Sequence, residues 1–150
     1  MKAAALLLPF IMLLCSCVED ITADDSTNFD YLQRGETALS SEKQIQLIDS
    51  QSSYDDIYYQ LLGQSTVPQT LDFTQYQVLL VMAGSAHYAF EQKVANIQGL
   101  SDRVVLELYT EYAGPSCVVP AVQQQRWMLV LLPRVIKPLL ITEQASVRRC

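Results

Sequence analysis

Residues 76–84 read Tyr-Gln-Val-Leu-Leu-Val-Met-Ala-Gly. The run is too short for a buried helix and lacks the apolar–polar alternation of a half-solvated strand, so it reads as a strand covered on both faces. Such a strand is central, and the rest of the chain must supply the layers that cover it. Downstream, Phe90–Ile97 leads to a turn at Gly99–Asp102. Arg103–Tyr112 then alternates, with Val104, Leu106 and Leu108 on one face and Arg103, Glu107 and Glu111 on the other, which makes a hairpin. Arg126–Leu132 is a second apolar run, stopped by Pro133, and Leu139–Arg148 sets Leu139, Ile141, Ala145 and Val147 against Thr142, Gln144, Ser146 and Arg148.

Upstream of the central strand, Gln64–Gln75 reads as a loop. Before it, Ser53 offers a hydroxyl N-cap with Asp56 three residues on, and Tyr54, Ile57, Tyr58 and Leu61 share one helical face that Gly63 closes. One helix of about ten residues is expected there. Phe29–Arg34 and Lys43–Asp49, either side of Gly35, complete the set as strands. Residues 29–150 are therefore expected to form a mainly β domain with one short helix, an antiparallel sandwich or half-open barrel of about seven strands.

The chain has 150 residues, is 50% hydrophobic and carries a formal charge of -6. That is a one-domain length with enough apolar content for a core. With 10 Lys and Arg against 16 Asp and Glu, the long-range field repels phosphate backbones, and nucleic acid is excluded as an expected partner. The acids are concentrated early. Val18–Asn28 carries Glu19, Asp20, Asp24 and Asp25 with few large apolar residues and reads as an acidic tether, 17–28.

Ahead of the tether, Lys2 is followed by the uncharged stretch Ala3–Leu14, too short to span a bilayer and suited to a secretory signal. Leu14-Cys15-Ser16-Cys17 resembles a bacterial lipoprotein signal, with an aliphatic residue three positions before the modified Cys and a small one just before it. Cys17 fits that pattern and Cys15 does not. The resemblance implies a signal peptide at 1–16, palmitate-type acylation at Cys17 and a lipid anchor in the membrane. Val18 stands where an Asp would signal inner-membrane retention in proteobacteria, so the implied location is the outer membrane, facing the periplasm.

Cys117 and Cys150 then remain. An exported even pair suggests a disulfide that would pin the final strand. Two free thiols, or Cys117 as a nucleophile with His87 as base, are the alternatives. Against catalysis, Cys117 lies between Pro115 and Pro120, away from any helix N-terminus. His87 is the only histidine, no Cys-x-x-Cys spacing is present, and no phosphate-binding glycine loop or nucleophile elbow occurs. No catalytic residue, metal site or cofactor is assigned. Among the eight tyrosines, Tyr109 and Tyr112, on a mainly polar strand face, are interface candidates.

Several segments, in order, resemble the C-terminal domain family of PrcB, a lipoprotein subunit of a bacterial surface protease complex. They are Arg34-Gly35-Glu36, Ile45–Asp49, Leu71-Asp72-Phe73, Val78–Gly84 and the hairpin. Gly114-Pro115-Ser116-Cys117-Val118-Val119, followed by a Gln-rich stretch and Trp127–Pro133, is similar to that family's glycine-proline loop and last long strand. Where the family usually carries a Pro-Thr-Gly-Gly-Tyr-like turn after the central strand, this chain has Ser85-Ala86-His87-Tyr88-Ala89-Phe90. The resemblance implies a non-catalytic accessory domain that assembles with, or stabilises, another envelope protein, a protease among the candidates.

The expectation is a periplasm-facing protein-binding module that recognises its partner through the Gly84–Phe90 and Tyr112–Val122 loops, with Ser85, His87, Tyr88, Tyr112 and Pro115 as contact residues. The alternatives are a small cysteine-dependent envelope enzyme and a structural lipoprotein that carries a ligand in its core.

Overall fold

The computed structural model describes residues 28–122 and 124–150. The expected signal peptide, Cys17 and nearly all of the expected tether lie outside the described residues. Seven strands are present: β1 Asp30–Gly35, β2 Gln44–Ile48, β3 Tyr76–Met82, β4 Ala89–Gly99, β5 Val104–Ala113, β6 Trp127–Pro133 and β7 Leu139–Arg148. Each coincides with a segment read as a strand from the sequence.

β3 lies between two apolar layers, which is why its sequence does not alternate. Val78, Leu80 and Met82 point to one side, joined by Trp127 and Leu129 of β6 and by Ile48 of β2. Leu79 and Val81 point to the other side, with Met128, Val130 and Leu132 of β6. Four strands form the middle sheet in the order β1-β6-β3-β2, every ladder antiparallel. The second sheet, β4-β5-β7, closes one face of it, with Leu106 and Leu108 of β5 in the shared core.

The helix covers the opposite face. α1 runs over Gln51–Asp56 and continues as a π-helical turn through Ile57–Leu61. An isolated helix this short is unstable in water. It is held by packing: Tyr54, Tyr58 and Leu62, four residues apart, are at most 4% exposed and press on β3 and β6. A fully buried apolar side chain contributes about 1.5–3 kcal/mol, so the three together outweigh a nucleation cost of roughly 3–4 kcal/mol. The cap differs from the expected one. Ser50, not Ser53, is the N-cap, in extended geometry with its hydroxyl accepting from the Ser53 N–H at 3.3 Å. The segment ends as expected at Gly63, whose φ of 65° suits a residue without a side chain.

β7 pairs with β5 in parallel, from Val104 opposite Leu139 to Ala113 opposite Arg148. An all-antiparallel sandwich does not contain that ladder. It arises because the chain crosses from β6 in the middle sheet and re-enters the second sheet from the end where β5 begins. The parallel direction fixes what meets at the other end. The start of β4, the end of β5 and the end of β7 all lie together, since Ala89 is opposite Tyr112 and Tyr112 is opposite Val147. An antiparallel β7 would carry the C-terminus to the far end.

Candidate functional site

Two loops that are apart in sequence share that end of the second sheet. The Ala113 N–H donates to the Tyr88 carbonyl at 2.7 Å, fastening the approach to β4 onto the exit from β5. Gly114 then donates to the Arg148 carbonyl at 3.1 Å, and Cys117 N–H to the Gly114 carbonyl at 3.0 Å, so the chain folds back as a tight turn beside β7. Cys117 and Cys150 form a disulfide, their Cα atoms 4.9 Å apart. The sulfur that the enzyme reading requires is therefore not a free thiol in this oxidised form.

Between these segments lies an open cleft of about 530 Å³ lined by His87, Tyr88, Tyr112, Pro115, Val119 and Val147, among others. Of the five residues singled out from sequence, His87, Tyr88, Tyr112 and Pro115 thus come together. Ser85 does not line the cleft. Its N–H and hydroxyl both donate to the Ser41 carbonyl, at 3.0 and 3.2 Å, and tie the turn after Gly84 to the segment before β2. His87 meets Tyr112 edge to face, with ring centroids 6.2 Å apart. Tyr112 is held from below, donating its hydroxyl to the Ala83 carbonyl at 3.2 Å. Two of the lining side chains are exposed valines: Val119 is 40% exposed and Val147 64%. Exposed valines gathered around an aromatic-lined hollow are a surface that gains by being covered.

Tyr109 and Tyr112 do not share a face. Tyr112 is on the cleft side. Tyr109 is on the outer side, bonded through its hydroxyl to Ser146 Oγ at 2.8 Å with Lys93 Nζ 5.2 Å from its ring centroid. Three positions separate them, and a strand turns its faces over at every odd step.

A polar cluster supports the cleft from inside and was not anticipated. Glu143, on the core side of β7, accepts from the Thr110 hydroxyl at 2.8 Å and forms an ion pair with Lys43 across the two sheets. Burial pulls the Lys43 ammonium down, but the hydrogen bond to Glu143 and the charges of Tyr112 and Glu143 outweigh it and hold Lys43 above its ordinary 10.5. The sequence did carry a signal, since Glu143 falls at an inward position in the alternation Leu139, Ile141, Glu143.

A second cleft, of about 490 Å³, opens where β1 and β4 face each other, with Arg34, Phe90, Gln92, Arg126 and Trp127 among its walls. Arg126 is pinned there by Glu36, at 2.9 Å, and by the Phe90 carbonyl. Gln92 is buried, and neither polar atom of its amide has a partner among the described residues.

Among the described residues, no group of three or more His, Cys, Asp or Glu side chains is placed to hold a metal ion, and no helix is long and apolar enough to cross a membrane. No family model, no curated protein and no solved structure matches this chain.

Proposed function

We propose that the chain is a non-catalytic binding or assembly module of the bacterial envelope, lipid-anchored through Cys17 at the outer membrane and facing the periplasm. Its partner is another envelope protein. The resemblance to the PrcB C-terminal domain family implies that a protease belongs among the candidates. The observation that carries this reading is the cleft at the His87–Tyr112 end, where two separate loops are fastened together around an aromatic hollow with an exposed valine rim. Rigid aromatic anchors beside apolar surface are the composition of protein-recognition patches. The anchor supplies location and raises the local concentration of module and partner at one membrane.

The test is photo-cross-linking in cells from residues placed at His87 and Pro115, compared with Leu39, which is 73% exposed and packs near Gly63 in place of the cleft. The cleft positions should capture one defined protein, Leu39 should not, and Val119→Asp with Val147→Asp should abolish capture. Equal capture from all three positions, or none from the cleft, would refute the reading.

The unpartnered Gln92 amide beside the second cleft favours one other function, carriage of a small polar ligand, because a buried amide without partners costs about 1–3 kcal/mol unless something satisfies it. Native mass spectrometry separates the two. A retained small molecule lost in Gln92→Leu would support carriage, and a bare chain mass would exclude it.

A further inference from the structure

Open sheets present their edges to other chains, and the four edges here are not alike. β1 has six residues and an irregularity between Tyr31 and Gln33. β2 has five residues. β4 is long but broken twice, between Ala89 and Glu91 and between Val94 and Asn96. Short length and bulges are the usual devices that stop a strand from adding to an edge. β7 has none of them. It runs ten residues in unbroken register against β5, its only strand partner among the described residues, and contains neither proline nor lysine. Its two charges are already neutralised at home, Glu143 by Lys43 and Arg148 by Glu111. Leu140 is 45% exposed and Val147 64%.

We propose that the outer edge of β7 pairs with β7 of a second copy of this chain, antiparallel about a two-fold axis, joining the two β4-β5-β7 sheets into one continuous sheet. The occupant follows from self-complementarity. Directly opposite residues in an antiparallel pair lie on the same face, so a two-fold pairing must place one residue opposite itself. The midpoint of β7 leaves Glu143 or Gln144. Centring on Glu143 sets two carboxylates against each other, which is unfavourable. Centring on Gln144 sets amide against amide, each supplying the donor and the acceptor the other needs.

The same register places Thr142 opposite Ser146 of the second copy, Ile141 opposite Val147, and Leu140 against the aliphatic stem of Arg148. Cross-strand hydroxyl and apolar pairs of this kind stabilise a sheet. The two Arg148 side chains go to opposite ends. An acidic or basic peptide finds no unpaired charge on this edge to select it.

The register is the testable part. Side chains opposite one another in such a pair lie within disulfide reach, while those four residues out of step do not. Under mild oxidation, Gln144→Cys should give a disulfide-linked species of twice the chain's own mass. Thr142→Cys and Ser146→Cys should each stay at the level that the native cysteines set in the unaltered chain, and the two mixed should cross-link. Gln144→Lys is on an exposed position that the fold does not use, and it should abolish the dimer while leaving the circular dichroism spectrum unchanged. Cross-linking of Gln144→Cys no greater than that of Thr142→Cys, capture of a chain of another mass, or a dimer that survives Gln144→Lys would each overturn the proposal.

Discussion

Replacing Cys150 by Ala opens the Cys117–Cys150 disulfide and tests how the domain uses it. The bridge closes a loop of 33 residues. In the chain-entropy account, releasing a loop of that length returns to the unfolded chain freedom worth about 3.7 kcal/mol at room temperature. The folded state should change little. The two ends are already brought together by backbone bonds, Gly114 to Arg148 at 3.1 Å and the turn from Cys117 to Gly114 at 3.0 Å, and by the whole β5–β7 ladder. The expected outcome is therefore a loss of about 3–4 kcal/mol with an unchanged native spectrum. At about 4 °C per kcal/mol for a domain of this size, the melting midpoint should fall by roughly 15 °C. Urea titrations of the oxidised parent, the reduced parent, Cys117→Ala, Cys150→Ala and the double variant form the assay. All four bridge-free forms should coincide, because each removes one and the same constraint. A loss below about 1 kcal/mol would mean that the unfolded chain keeps these ends close without the bond, and additive effects of the two single variants would mean that the side chains act separately; either result refutes the reasoning.

Gly35 is pressed against Trp127. A methyl group there would come within 2.6 Å of the indole Nε1, which donates to the Thr37 carbonyl at 2.7 Å. Gly35→Ala should cost about 1–3 kcal/mol and shift the fluorescence of the single tryptophan, and an unperturbed spectrum would count against this packing. Lys43 is held above its ordinary 10.5, and burial with the neighbouring Tyr58 and Asp55 holds Tyr54 above its ordinary 10.0. A raised value favours the protonated form in the folded state. The stability from both groups is therefore complete below pH 10.0 and lost as pH rises through their folded values, so unfolding titrations should show an alkaline decline that shrinks in Tyr54→Phe. Mass spectrometry of the processed chain should find an acylated Cys17 at the new N-terminus, and Cys17→Ala should release the protein from membranes on fractionation.

The strands were legible because each carries its burial in its own residues: continuous apolar runs in β3 and β6, and alternation in β5. Apart from the β4–β5 hairpin, which strands pair was not legible, since the parallel direction of β7 depends on the path of the chain between sheets and leaves no local mark. The helix cap moved from Ser53 to Ser50 because both offer a hydroxyl and only the backbone geometry decides between them. The π-helical turn keeps Tyr54, Tyr58 and Leu62 on the sheet by means no periodicity displays. In the cleft, the β4–β5 hairpin that the sequence displays brings His87, Tyr88, Tyr112 and Pro115 together, whereas the arrival of Val147 beside them depends on the parallel ladder. The role of Glu143 was not legible locally, because its partners Lys43 and Thr110 are distant in sequence and meet it only in the folded sheets. Ser85 stood out beside Gly84, yet the turn spends it on Ser41.

The pairing of β1 with β6 sets an order of assembly. Asp30 lies opposite Leu131, so the first strand has no lateral partner until almost the whole chain is available. Folds built on such distant closures are slow to form, since the intervening segment must be confined before its ends gain anything. The hairpin of β4 and β5 can close early, whereas β1 can join the middle sheet only once β6 has been made. The first strand therefore stays unpaired through most of synthesis, the condition in which the leading end of a polypeptide can still be threaded through a narrow channel.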